Sequence, residues 1–293
     1  MPNVLVLGSG LIGFDVALAF VAKGYKVYTT TRSQSKADRL NQLEIQPIIV
    51  NTIQETGKWE SIARKADIIV EALADYSDRQ TAHIVADLLT KIKQKRELAV
   101  HIVYTSGIWI WGASQVEPIE ESTPILQNTF TRGRLDVQDK YLKIGGSVIL
   151  PSLVYGRDGG LSNDYFKQVL AQKGVTFFGT EDTWTPFVHA SDLAQLYVLV
   201  AESPRLTTGQ IYVGSVTNEK RSDIINAIAN SLGLPKPAIT YVQGSTDYEK
   251  CLGLSQKFSN RKGKQLGWNP VQPSISDDPK RYLDSFQAFS KSN

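Results

Sequence analysis

The chain has 293 residues, 42% of them hydrophobic and 21% charged, and 32 basic against 29 acidic side chains leave a formal net charge of +3. That balance fits one large or two modest soluble domains and excludes a dense basic footprint for nucleic acid or a membrane surface. A single cysteine, Cys251, excludes an internal disulfide framework, and His83, His101 and His189 lie too far apart for a metal motif of the HxxxH kind.

The N-terminus, MPNVLVLGSG, reads as a first strand (VLVLG, 4–8) rather than a signal peptide, and no run approaches the ~18 apolar residues of a membrane span. A cytoplasmic location is therefore expected. Apolar residues at helical spacing follow over 11–24, then a strand at 26–31, a helix at 35–43, and apolar runs at 45–50 and 67–73. A helix over about 77–94, a strand at 98–106, a helix over about 130–143 and a strand at 147–156 complete the first half. Strands that are apolar throughout and alternate with helices predict a parallel sheet covered on both faces, an α/β Rossmann-type doubly wound fold.

After Gly156 the pattern changes. RDGGLSND is a glycine-rich loop, 175–192 mixes short strands with turns, and ASDLAQLYVLVAES returns to a helix that Ser191 or Asp192 is placed to cap. Strand and helix patterns recur at IYVGS, SDIINAIANSLG and ITYVQG before a tail around LGWNP. The expected layout is a nucleotide-binding domain of residues 1–156 completed by about 188–215. A smaller, discontinuous C-terminal substrate lobe takes about 157–187 and 216–293. The basic segment KFSNRKGK (257–264) reads as a solvated face.

GSGLIG (8–13) fits GxGxxG between a predicted strand and a predicted helix. Gly8 and Gly10 permit a tight turn and close backbone approach to a pyrophosphate, and Gly13 lets the helix pack near the sheet. Ser9, Leu11 and Ile12 complete the loop, whose helix N-terminus offers unpaired N–H groups to phosphate. The end of the second strand selects the cofactor. An NAD site wants a carboxylate there and an NADP site an arginine. KVYTTTRSQSK offers no acid between Gly24 and Ala37 but places Arg32 between Thr31 and Ser33. NADP(H) is expected in preference to NAD(H).

Several stretches, taken in order, carry a resemblance. They are GSGLIG, ALA (72–74) after the fourth strand, YTSGIWIWG (104–112), LPSLVYG (150–156), FVHASDLAQLYVL (187–199) and FSNRKGKQLGWNP (258–270). Together the chain resembles the extended and atypical short-chain dehydrogenase/reductase superfamily, the NAD(P)-dependent epimerase/dehydratase-like proteins. The resemblance implies that Ala72, Leu73, Ala74 and Pro151 lie against the cofactor. It also implies that Thr105, Ser106 and Gly107 line the catalytic cleft, with Trp109 and Trp111 on its wall as structure or as a stacking surface.

The sequence departs from that pattern where proton transfer is concerned. The superfamily's reductases use Ser/Thr with a Tyr-x-x-x-Lys helix, in which tyrosine moves the proton and lysine lowers its pKa. NTFTRGRLDVQDKYLK places Phe130 and Arg134 at the tyrosine and lysine positions, and phenylalanine carries no proton. The serine position falls on Ser106 or, in another register, on Gly107. The nucleotide loop also shifts, with glycine at Gly8 where the family pattern would put it at Leu7. Tyr155, Tyr104, Tyr76, Thr105 or a water remain as proton donors, with Thr105, Ser106 and Tyr155 as the catalytic candidates. The expected function is NADP(H)-dependent oxidation or reduction of a small organic carbonyl or alcohol. The alternatives are a non-catalytic NADP(H)-binding regulator and a nucleotide-sugar epimerase or dehydratase. A small-molecule substrate is the expected partner, with no nucleic acid, membrane or metal.

Overall fold

A computed structural model describes residues 1–73, 79–95, 99–126, 128–157 and 160–292. The alternating runs of the first half become the strands β1 (Asn3–Leu7), β2 (Lys26–Thr31), β3 (Gln46–Ile49), β4 (Ile68–Glu71), β5 (His101–Thr105) and β6 (Ser147–Pro151). Then come β7 (Leu153–Tyr155), β8 (Val175–Phe178), β9 (Trp184–His189), β10 (Ile211–Gly214), β11 (Thr217–Lys220) and β12 (Ile239–Val242). Seven of these form one parallel sheet in the order β10-β6-β5-β4-β1-β2-β3, with Val4 in register with Val27 on one side and Ile68 on the other. Strand order reverses between β1 and β4, which opens a crevice at the carboxyl ends of those strands.

Period-2 alternation divides the sheet's side chains between two cores. Val4, Val6, Val70, Val103 and Ile149 meet the Leu11–Ala22 and Ala190–Glu202 helices on one face. Leu5, Leu7, Ile69, Ile102 and Val148 meet the Arg79–Gln94 and Arg134–Lys143 helices on the other. Each fully buried Val or Leu contributes roughly 1.5–3 kcal/mol. A third core, with Tyr165, Phe177, Phe187 and Ile224, lies under the smaller sheets β11-β9-β7 and β12-β8.

Two expected elements are redrawn. The run 147–156 is not one strand. Its ladder in the main sheet stops at Pro151, which has no N–H to give, and Ser152 turns both its N–H (2.9 Å) and its hydroxyl (3.1 Å) to the Gly214 carbonyl. The chain then re-enters as β7, which pairs with β9 in the second sheet. The helix expected over 130–143 begins only at Arg134, because Gly133 has a left-handed φ of 89°. His189, rather than Ser191 or Asp192, caps the Ala190–Glu202 helix, its Nδ1 accepting from the Ser191 N–H at 3.2 Å. The Asp192 carboxylate accepts instead from Val271 N–H (3.1 Å) and Gln272 N–H (3.0 Å), clamping the LGWNP tail.

Candidate active site

The turn after β1 is shaped by its glycines. Gly8 has φ 102°, and a Cβ there would stand 2.8 Å from the Ala72 carbonyl oxygen. A Cβ on Gly13 would fall 1.9 Å from the Gly8 oxygen, whereas one on Gly10 would meet nothing within 4 Å. Gly8 and Gly13 are thus required by the fold and Gly10 by open space above the helix start. The Gly8 N–H donates to Thr30 Oγ1 at 2.8 Å, which ties the loop to β2. Gly10 is the N-cap of the Leu11–Ala22 helix and provides no side-chain cap, so the first N–H groups face outward as an anion site. That is a cradle of the kind a dinucleotide pyrophosphate fits.

A cleft of about 290 Å³ opens over this turn. It brings Gly10, Leu11 and Ile12 together with Ala72 and Leu73 after β4, Thr105 and Ser106 after β5, and Pro151. Gly8, Ser9 and Gly13 form the turn beside it, and Thr31, Arg32 and Ser33 lie at the end of β2, outside its lining. Ala74, Asp75 and Tyr76 lie outside the described residues. At the β2 end Thr31 is buried and Arg32 exposed. Ser33 caps the Gln34–Gln42 helix by accepting from Lys36 N–H at 3.3 Å.

Within the cleft the two hydroxyls differ. Thr105 is 8% exposed and fully engaged, donating to the Glu71 carbonyl (2.6 Å) and accepting from Tyr197 (2.8 Å). Ser106 is 5% exposed, lines the cleft, and its Oγ makes no hydrogen bond among the described residues. A buried hydroxyl without a partner costs about 1–3 kcal/mol; Thr29, Thr31, Tyr141 and Ser215 share that state, and among these hydroxyls that of Ser106 is the one belonging to a cleft-lining residue.

A family model of NAD-dependent epimerases and dehydratases matches residues 4–214. The chain belongs to the NAD-dependent epimerase/dehydratase family. No protein of curated function matches it by sequence. Among solved structures it is similar to a dTDP-glucose 4,6-dehydratase from Bacillus anthracis in complex with NAD, at 16% identity over 99% of this chain and 98% of the other, with a TM-score of 0.81. It is also similar to a UDP-glucuronic acid 4-epimerase from Bacillus cereus, in complex with UDP-glucuronic acid and NAD, at 16% identity, 98% and 99% coverage and a TM-score of 0.82. A UDP-glucose 4-epimerase from Thermotoga maritima, with UDP-glucose, gives 17% identity, 98% and 99% coverage and a TM-score of 0.81.

Within this family member the proton-transfer candidates separate. Phe130 and Arg134 both line the cleft, but Phe130 stands in the turn before Gly133 and not one helical turn from Arg134. Tyr155 does not join the cleft, which corrects its assignment as a catalytic candidate. Its hydroxyl donates to the Pro273 carbonyl at 2.7 Å, and burial raises its pKa further from any proton-transfer range. Tyr104 stacks on Tyr141 with ring centroids 4.6 Å apart, in the core. Trp109 lines the cleft, whereas Trp111 is buried with its indole N–H on the Thr123 carbonyl at 2.9 Å. Burial pushes His189 and His101 down to about 4, so both are neutral near pH 7.

Glu71 escapes a reading of the sequence, where it is one acid inside the apolar run DIIVEAL. It is 3% exposed and accepts from the Leu73 N–H at 2.8 Å. Burial pushes its carboxyl up to about 8, against the opposing pull of that N–H and of the Arg134 guanidinium. Asp15 is also missed by sequence. Its buried carboxylate on the glycine-loop helix receives Arg157 Nε at 2.6 Å and ties the end of β7 to the nucleotide turn.

Proposed function

We propose that this protein is an NADP(H)-dependent oxidoreductase acting on a carbonyl or alcohol group of a small organic molecule. The observation that carries the reading is the buried, unpartnered Ser106 hydroxyl in a cleft shared with the glycine turn. Hydride donation or acceptance is the chemistry a nicotinamide supplies when bound. Gly10, Leu11 and Ile12 would hold the dinucleotide's phosphates, and Ala72, Leu73 and Pro151 would line its seat. In the reducing direction Ser106 donates to the substrate oxygen and orients the carbonyl, and Arg134 stabilises the charge that builds on that oxygen. In that direction the Ser106 hydroxyl would give its proton to the substrate oxygen and recover one from solvent, while a bound nicotinamide would supply the hydride. Phe130 closes the usual tyrosine route.

The preference for NADP(H) rests on Arg32. It is exposed, it has no ion pair or hydrogen bond among the described residues, and no carboxylate replaces it at the end of β2. A fluorescence titration with NADPH and NADH tests this. Arg32→Ala should weaken NADPH about thirty-fold, the equivalent of about 2 kcal/mol, and leave NADH within two-fold. Equal affinity for both dinucleotides in the unaltered protein would remove the NADP(H) assignment.

Two other readings have support of their own. The similar structures are those of sugar-nucleotide epimerases and a dehydratase, which favours turnover of a nucleotide sugar. The engaged Thr105 and the distant Tyr155 favour a binder that does not turn over.

A further inference from the structure

Trp109 is unlike the buried tryptophans of this chain. Trp59, Trp111 and Trp268 are sealed in the core, and each gives its indole N–H to a carbonyl, of Ile53 (2.9 Å), Thr123 (2.9 Å) and Asp192 (2.7 Å) respectively. Trp109 is half-buried on the cleft wall, and its indole N–H has no partner among the described residues. Tryptophan placed only to fill a core follows the first pattern.

Two further rings meet it, Phe130, which also lines the cleft, and Tyr248, which lies outside the lining. Phe130 lies 5.7 Å from Trp109 between centroids, and Tyr248, on the Asp247–Leu252 helix of the small lobe, lies 5.9 Å from Trp109 and 5.6 Å from Phe130. None of the three contacts is face to face, with interplanar angles of 63°, 72° and 50°. Tyr248 is 40% exposed. The backbone bearing two of the rings is tied together by the Asn128 side chain. Asn128 donates its side-chain amide to the Trp109 carbonyl (2.7 Å) and accepts from Thr131 N–H (3.0 Å), which bolts Trp109 to the turn bearing Phe130.

The neighbouring lining is apolar, with Leu153, Val154 and Leu161, and Arg134 is the one charged side chain among the described lining residues. Arginines that could have met a second pyrophosphate are engaged elsewhere. Arg221 donates to Thr185 Oγ1 (2.9 Å) and to the carbonyls of Phe178 and Leu252, and Arg261 pairs with Glu120 at 2.7 Å. Arg205 sits on the Pro204–Thr207 helix, which leads into the start of β10, at the sheet edge opposite the cleft.

We propose that this half of the cleft recognises a planar aromatic ring carrying the reacting carbonyl or alcohol, with Trp109 and Phe130 as its ring-binding faces and Tyr248 packed against both to position them. The inference rests on the oxidoreductase reading for the word "reacting", but the ring site itself does not depend on it. The ring packs against the aromatic wall, the Trp109 N–H is free to donate to a ring substituent, and the carbonyl oxygen reaches Ser106.

Isothermal titration calorimetry on the full chain, with and without NADPH, tests it. The probes are 2-acetylnaphthalene, its ring-saturated counterpart 2-acetyldecalin, and UDP-glucose. The aromatic ketone should bind at least ten-fold more tightly than the saturated one, and UDP-glucose more weakly than either. Trp109→Leu should erase the ring preference, and Tyr248→Leu should cut it several-fold. Tyr248 is a surface position, so that variant reports even if Trp109→Leu fails to fold. Equal binding of the two ketones, tighter binding of UDP-glucose, or a ring preference untouched by Tyr248→Leu would overturn the proposal. Ring preference without any dinucleotide binding would leave the ring site standing and remove the oxidoreductase reading. Dinucleotide binding without ring preference would do the reverse.

Discussion

The two ends of the cleft are made of different material. At the nucleotide end the contact surface is backbone: glycine carbonyls, helix N–H groups and the turn after β4, packed so closely that a Gly13 Cβ would sit 1.9 Å from another residue's oxygen. At the substrate end the surface is side chains from four separate segments, Ser106, Trp109, Phe130 and Arg134, Leu153 and Leu161. A backbone site tolerates few changes and fails as a whole. A side-chain site changes one function at a time.

The largest effect should therefore follow a single methyl group at the nucleotide end. Gly13→Ala forces backbone against backbone and should cost about 3 kcal/mol of stability. Dinucleotide affinity should fall more than a hundred-fold, read by titration of whatever fraction remains folded by thermal melt. If Gly13→Ala binds NADPH normally, the turn is not the phosphate site.

At the substrate end Ser106→Ala should separate stability from chemistry. Removing a buried hydroxyl that has no partner should stabilise the fold by about 1 kcal/mol. If Ser106 orients and protonates the carbonyl, kcat should drop roughly a hundred-fold with the dinucleotide Kd unchanged. A variant that is less stable and equally active would show Ser106 to be packing only.

This contrast also explains what could be read from the sequence. The sheet and the glycine turn are legible because spacing in the chain determines them, and the place of Thr105 and Ser106 on the cleft follows from the family resemblance. Glycine at 8, 10 and 13 between a strand and a helix is the spacing of a dinucleotide-binding turn. Tyr155 was misread because a strand end faces either way, and the turn at Ser152 moved it into another sheet. The Phe130 position was legible as a departure, but its release from the helix depended on the left-handed Gly133. Tyr248 lies 118 residues after Phe130 in the chain, and only the folded small lobe brings them together. Glu71 looked like any acid at a strand end until its burial on both sides was known.

Glu71, whose carboxyl accepts from the Leu73 N–H and whose backbone carbonyl accepts from the Thr105 hydroxyl, gives the next test. Its folded pKa of about 8 lies above the roughly 4.3 of an unfolded glutamate, so folding takes up a proton between those pH values. Stability must therefore fall as pH rises across that window, by up to about 1.4 kcal/mol per pH unit, and level off above 8. Glu71→Gln keeps an acceptor for the Leu73 N–H and removes the titration. Its Tm relative to the unaltered protein should climb from pH 5 to pH 8.5. A constant difference over that range would mean that Glu71 stays ionised beside Arg134 throughout.

The smallest effect belongs to Tyr155, one of the alternative proton donors that the sequence offers. Tyr155→Phe removes one hydrogen bond to the Pro273 carbonyl, which keeps the Tyr282 hydroxyl as a second donor at 2.7 Å. The ring contacts with Phe187, His189 and Tyr282 survive the change. The cost should be about 1 kcal/mol or less in a urea titration, with dinucleotide affinity and any turnover unaltered. A large loss of turnover in Tyr155→Phe at unchanged stability would require the hydroxyl to leave Pro273 and swing into the cleft. That would place the proton donor on β7, and the small lobe rather than Ser106 would then govern the chemistry.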